Sequence, residues 1–196
     1  DAYRDSVRQF WLGDLARGYG EGVSDIASSI SGSSNVFNYR GPTSSINFIA
    51  AHDGFTVHDM VTYNHKHNEA NLENNKDGND SNRSWNVGHE GESSDAGINE
   101  IRNRIKKSLL ATLMLSSGVP MLNMGDEVSR SQAGSNNAYS MPRDMSAAIA
   151  DSPETFGGGW AMDWELDAAQ KDIRDAVEML ASIRNTYLIN VASDFF

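Results

Sequence analysis

Two short apolar runs in this 196-residue chain end in a similar way. Residues 45–51 (SINFIAA) lead into His52-Asp53-Gly54, and residues 119–124 (VPMLNM) lead into Gly125-Asp126-Glu127. Runs of that length with polar and glycine flanks read as buried strands rather than helices. In parallel α/β folds ligands sit at the carboxyl ends of strands, where these acidic groups fall. Two carboxyl groups across a sugar linkage can hydrolyse it, one as acid and one as base or nucleophile. Asp, Asn and His also bond sugar hydroxyls. The plainer reading is that Asp126 and Glu127 cap the turn that follows, while Asp53 pairs with an arginine.

Two other chemistries compete for the same residues. His52-Asp53 and His58-Asp59 resemble the His-Asp pairs of metal-dependent phosphohydrolases, and His65-x-His67-x-Glu69 has ligands alternating as on one face of a strand. Imidazole and carboxylate suit zinc or iron. Those phosphohydrolases are all-helical, however, and His52 follows a strand. A non-catalytic carbohydrate-binding or scaffold module fits as well. The triplets starting at Asn79 and Asn82 match glycan acceptors, without a visible secretory context.

Residues 64–97 are the oddest stretch, with eight asparagines and three of the five histidines. A loop of this length inside a domain is functional or disordered. Tyr63 and Trp85 weigh against disorder, which is poor in aromatic residues.

The elements that must carry these groups alternate. Residues 1–15 have helical spacing, with Tyr3, Val7, Phe10 and Trp11 on one face. Residues 16–44 read as loop with a short helix around Val23–Ile30, broken at Gly41-Pro42. The strand at 45–51 follows. The strongest helix covers 98–117, with Ile98, Ile101, Ile105, Leu109 and Leu113 in a stripe and Arg102, Arg104, Lys106 and Lys107 mostly off it. Gly118 and Pro120 stop it. After the strand at 119–124, a last helix spans about 168–185. Asp167 and Gln170 have capping-box spacing there, and Ile173, Val177, Leu180 and Ile183 form its apolar face. Helix, strand, helix, strand, helix predicts an α/β fold with parallel strands.

Composition narrows the partners. A net charge of -11 repels phosphate backbones and anionic lipid, so neither nucleic acid nor membrane is an expected partner. With no cysteine there is no disulfide, thiolate metal site or thiol nucleophile.

From SINFIAAHDGFTVHDMVTYNHKHNEAN (45–71) onward, the chain resembles the glycogen debranching enzymes of the isoamylase type, in the alpha-amylase superfamily. The likeness continues through NNKDG (74–78), SWNVGHEG (84–91), IRNRIKKSLLATLMLSSGVPML (101–122), GDE (125–127) and NNAY (136–139). It also takes in RDSVRQFW (4–11), GSSNVF (32–37) and the Trp160 to Trp164 segment. The resemblance implies the carboxy-terminal part of a (β/α)8 TIM barrel over residues 1–196, covering roughly its last strands and helices. Residues 45–53 match the seventh strand, 119–124 the eighth, and 64–97 a long substrate-side loop. Asp53 matches the third catalytic carboxylate, which favours the distorted, oxocarbenium-like sugar, and His52 a contact to the same sugar.

The family's nucleophile, in a Phe-Arg-x-Asp context, and its acid, in Ala-Glu-Pro, have no counterpart in this sequence. They are expected upstream, so the isolated chain is expected to be inactive and, with two strands exposed at their edges, prone to self-association. Tyr63, Asn64, Asn68, Asn136, Asn137 and Tyr139 are the further substrate or loop-shaping residues. The implied substrate is a branched α-glucan such as glycogen or limit dextrin, cut at α-1,6 linkages with retention in the cytoplasm. No cofactor or metal is expected, and no motif supports a structural calcium. Gly134-Ser135-Asn136-Asn137 departs from the family's Gly-Asn-Asn-Asn, Asn123-Met124 stand where small residues are typical, and residues 141–159 are longer than the pattern. These departures bear on loop geometry and branch specificity.

Overall fold

A computed structural model describes residues 2–14, 23–37, 39–138, 162 and 164–188. Helix α1 covers Ala2–Arg8 and widens into a π-type turn at Gln9–Asp14. Short helices α2 (Val23–Ile30) and α3 (Ser34–Phe37) follow. Strand β1 is Ile46–Asn47, and the long helix α4 is Ala96–Leu115. Strand β2 is Val119–Pro120, and α5 is Ala168–Ile183, running on into a π-type turn at Arg184–Leu188.

The two strands lie where the sequence puts them and are parallel, with Ile46 opposite Val119 and Asn47 opposite Pro120. They are far shorter than 45–51 and 119–124 suggest. The ladder bonds run from Val119 N to Ser45 O and from Met121 N to Asn47 O, both 2.7 Å. Each strand has only one partner among the described residues, so nothing on the other side holds the chain extended. The result is mostly helical, and the described residues form no barrel. Ile46 and Val119 remain 62% and 50% exposed.

Gly118 sets the spacing of the pair. It adopts φ +113°, and a Cβ there would stand 2.8 Å from the Ser45 carbonyl oxygen. Only glycine lets the end of α4 pass so close to β1.

Helix α4 begins earlier than its apolar stripe because Asp95 caps it, accepting from Gly97 N (2.7 Å) and Ile98 N (3.1 Å). Its buried face is wider than predicted. Arg102 and Lys106, expected off the stripe, are buried along with Leu109, Leu110 and Leu113, because the chain at 56–62 and 86–92 folds over that flank. Arg102 Nη2 donates to the carbonyls of Asn86 (2.9 Å) and His89 (2.6 Å).

Helix α1 docks on α4 through Tyr3, whose hydroxyl lies 2.8 Å from Ser116 Oγ, and through Trp11 Nε1, which donates to Thr112 Oγ1 at 3.0 Å. Burial pushes the Tyr3 hydroxyl up to about 12, against the Ser116 bond and Arg184. The predicted capping box of α5 forms in full between Asp167 and Gln170. Ile173 and Leu180 of its apolar face are buried, whereas Ile183 is 36% exposed. Arg184 crosses back to α4 and donates to the carbonyls of Met114, Ser116 and Gly118, closing that helix's open end.

The asparagine-rich loop is built around buried side chains. Asn68, Asn71, Asn82 and Asn86 are all buried, and single turns of 3-10 helix at Asp59–Val61 and Glu69–Asn71 shape its start. No helix among the described residues is long and apolar enough to cross a membrane.

Candidate functional site

Beyond β1 the chain alternates between core and surface. Ile49 and Ala50 are buried, His52 and Asp53 are exposed, and Phe55, Thr56 and Val57 are buried again. Apolar burial on both sides pins the chain and lifts the His-Asp pair outward.

Four hydrogen bonds brace this turn from four different places in the sequence. Arg8 Nε donates to Ile49 O at 2.8 Å, and Asn123 Nδ2 to Ala51 O at 3.2 Å. Gly54 N donates to Asn136 O at 2.9 Å. Val57 N donates to Asp126 Oδ1 at 3.0 Å. The braces take up backbone groups and leave the His52 and Asp53 side chains without a hydrogen-bond partner among the described residues. Arg8 adds a field. Its burial, with Arg4 nearby, draws the guanidinium down to about 10, while Asp5, Asp126 and Asp53 oppose that shift. It therefore stays cationic at neutral pH. The expected arginine for Asp53 is present as a nearby charge, but its bonds go to carbonyl groups.

Asp126 and Glu127 behave differently. Glu127 Oε2 accepts from Gly125 N at 2.8 Å, a turn cap as the plainer reading has it. Asp126 reaches across to Val57. It is 1% exposed, and burial pushes its carboxyl up to about 7, opposed by the Val57 bond and Arg130 and assisted by Asp59 and Glu127. Asp59 is fully buried, accepting from Ser131 Oγ (2.6 Å) and Gln132 N (2.8 Å), and burial raises its pKa as well.

The loop residues read as substrate contacts fall into two groups. Asn68 and Asn136 are buried against each other, with Asn68 Nδ2 donating to Asn136 Oδ1 at 2.7 Å. Asn68 Nδ2 also donates to Asp77 O, and its Oδ1 accepts from Ser135 Oγ and Asn136 N. Asn136 Nδ2 donates to Asn79 O (2.6 Å) and Asn82 Oδ1 (2.8 Å). Their amides are committed to protein partners, which assigns them loop shaping within this geometry. Asn137 is half-buried, and its carbonyl accepts from Asn71 Nδ2 at 3.0 Å. Tyr63 is buried, with ring centroids 6.4 Å from Phe55 and 5.3 Å from His67, so packing rather than an open stacking face describes it. Asn64 is half-buried, and its Oδ1 accepts from Asn86 N at 3.0 Å. Tyr139 lies outside the described residues.

Glu90 is the hub of the second group. It accepts from Asn64 N, His65 N, His67 Nε2 and Asn86 Nδ2 at 2.8 to 3.1 Å. Burial raises its carboxyl, but these donors outweigh that and hold it near 2. His67 is thus spent on Glu90, and His58 lies between Glu92 (2.8 Å) and Lys106 (3.3 Å). Among the described residues no group of three or more His, Asp or Glu converges as a metal site. Asn82, one of the two glycan-acceptor triplets, has a buried amide engaged with Asn136.

Sequence reading missed Arg8, Asn82, Asn123 and Glu90. Arg8 immediately follows Val7, on the flank of the α1 face, which is the one local sign of its burial. The other three carry little local signal, because most of their side-chain partners lie 23 to 72 residues away.

The chain is similar over almost its whole length to proteins of glycogen metabolism. It is 40% identical, over 99% of its length, to a "Glycogen operon protein GlgX homolog" of Mycobacterium bovis and covers 24% of that protein. It is 42% identical over 95% of its length to a "Glycogen debranching enzyme" of Pectobacterium atrosepticum, covering 25% of it. For the "Glycogen debranching enzyme" of Serratia proteamaculans the identity is 49% over 71% of this chain and 21% of that protein. The chain thus spans about a quarter of the length of the curated relatives it matches. No family model matches. Among solved structures, a pullulanase from Bacillus acidopullulyticus superposes with a TM-score of 0.54 at 21% identity, over 92% of this chain and 18% of that one. That likeness shows that the chain shares its fold with part of that protein. The resemblance to glycogen debranching enzymes read from the motifs is borne out.

Proposed function

We propose that this chain is the carboxy-terminal part of the catalytic barrel of a glycoside hydrolase. The whole protein cleaves α-1,6 branch linkages of glycogen or a related α-glucan. Strands β1 and β2 are then the seventh and eighth of the barrel, residues 64–97 a substrate-side loop, and the exposed Ile46 and Val119 face the missing strands. Asp53 acts as the third carboxylate and His52 as a sugar contact. The observation that carries this reading is the braced, exposed His52-Asp53 pair following β1, whose side chains have no hydrogen-bond partner among the described residues.

Retaining hydrolysis proceeds by double displacement through a covalent glycosyl-enzyme. The nucleophile and the acid come from outside this chain, so the isolated chain is inactive. Asp53 accepts hydrogen bonds from hydroxyls of the sugar at the cleavage point. A fixed carboxylate there favours the flattened, positively charged sugar over the relaxed one, which lowers the barrier rather than merely tightening binding. Asn68 and Asn136 hold the loop against the turn, while Asn64, Asn137 and Tyr139 are the further residues assigned to substrate in this reading.

Release of reducing ends from a branched glucan by the full-length protein tests the reading. Asp53→Asn should lower kcat by about 10²–10³-fold or more, and the isolated chain should release none. Full activity in Asp53→Asn would overturn the assignment. A full-length protein that binds branched glucan without cutting it would point to a binding module.

A further inference from the structure

We infer that Asn82, whose triplet matches a glycan acceptor in the sequence, instead positions Asp53 by joining the two ends of its turn. The inference rests on the reading of Asp53 as the third carboxylate. Asn82 is 5% exposed and works through both its backbone and its side chain. Its carbonyl accepts from Arg8 Nη1 at 3.1 Å, and the Nε of the same guanidinium holds Ile49 O at 2.8 Å. Its Oδ1 accepts from Asn136 Nδ2 at 2.8 Å, and the Asn136 carbonyl holds Gly54 N at 2.9 Å. Ile49, Arg8, Asn82, Asn136 and Gly54 thus close a ring of hydrogen bonds around the turn that presents His52 and Asp53. Asn82 is the one member that touches both arms. It makes no hydrogen bond to Asp53 among the described residues, so its effect reaches the carboxylate through the backbone.

The chemistry sets the expected signature. A carboxylate that acts in the transition state loses value steeply when it shifts, whereas binding by the rest of a long glucan does not. In the full-length protein Asn82→Ala should lower kcat by about 10- to 100-fold and leave KM within about threefold. Added to Asp53→Asn, the alanine change should cost less than about another twofold, since the group it positions is already gone. Hydrogen exchange in a peptide spanning residues 49–57 gives a readout independent of catalysis. It should speed up at least about tenfold in Asn82→Ala while α4 peptides stay protected.

Unchanged kcat in Asn82→Ala, or an equal loss in the Asp53→Asn background, would each overturn the inference. If Asp53→Asn is fully active, the functional reading fails, and the exchange experiment still decides whether Asn82 holds the turn. Should the alanine protein fail to fold, Asn82→Ser takes the same measurements.

Discussion

Asp53 and Asp126 each follow a short strand of one parallel pair, and each stands beside a glycine. Their surroundings are opposite. Asp53 is exposed, with its backbone neighbours braced and its carboxylate without a hydrogen-bond partner among the described residues. Asp126 is buried, its carboxylate spent on Val57 N and its pKa raised to about 7. One turn spends its hydrogen bonds on holding a side chain out, and the other spends the side chain on holding the turn. A carboxylate at a strand end is therefore only a candidate for chemistry. On the proposed reading, what suits one of them for chemistry is that the backbone groups around it are satisfied by other partners.

The sharpest way to break the contrast is to exchange roles in activity: Asp53→Asn should remove it, while Asp126→Asn should leave kcat within about threefold. Next in size is Gly78→Ala. A Cβ at this positive-φ position would lie 2.1 Å from Asn136 Oδ1 and 2.7 Å from Asn68 Nδ2. The overlap should lower stability by about 3 kcal/mol and loosen the Asp53 turn, leaving the Asp126 bond intact. Thermal melts beside reducing-end assays would show both effects.

Asp126→Asn also makes a prediction about pH. The folded carboxyl near 7 lies above its unfolded value of about 3.9. Folding therefore holds a proton between those values, and stability falls as pH rises from about 4 through 7. The asparagine keeps an acceptor for Val57 N and carries no charge. It should flatten that decline and raise stability at pH 8 by about 1–3 kcal/mol. A loss at pH 8 would mean that the charged carboxylate is itself the anchor.

Glu90 gives the smallest effect and the opposite sign. Held near 2 by its donors, it contributes stability above its unfolded value of about 4.3 and loses it as pH falls toward 2. Its side chain is 32% exposed, so Glu90→Gln should cost about 1 kcal/mol at pH 7 and nothing below pH 2. Tm measured against pH follows it.

Local rules carried much of this structure into view. The stripe of α4 and the Asp167–Gln170 box each depend on residues a few positions apart, and the parallel order of the two short strands follows from the alternation of helix and strand along the chain. The His52-Asp53 pair was visible from its place after an apolar run. Strand length was not, because extension needs neighbours on both sides. Nor was the burial of Arg102 and Lys106, which follows from chain folding over α4 from elsewhere. Among the site residues, Asn68 and Asn136 were singled out by type, but the sequence gives no sign that they face each other, since the pair spans 68 residues.

Lys66 has a consequence of its own. Its ammonium is buried within the asparagine loop and donates to the carbonyls of Lys76 (3.4 Å) and Gly78 (3.2 Å), while lying 2.9 Å from the Asp80 carboxylate. Oxygen atoms converging from one loop make the kind of cage that many proteins fill with a dissolved cation. Here the cation is tethered to the chain it organises. Its occupancy follows no binding isotherm, so neither dilution nor a chelator can empty it, and this corner of the loop owes its order to a covalent stem instead of a supply of ions.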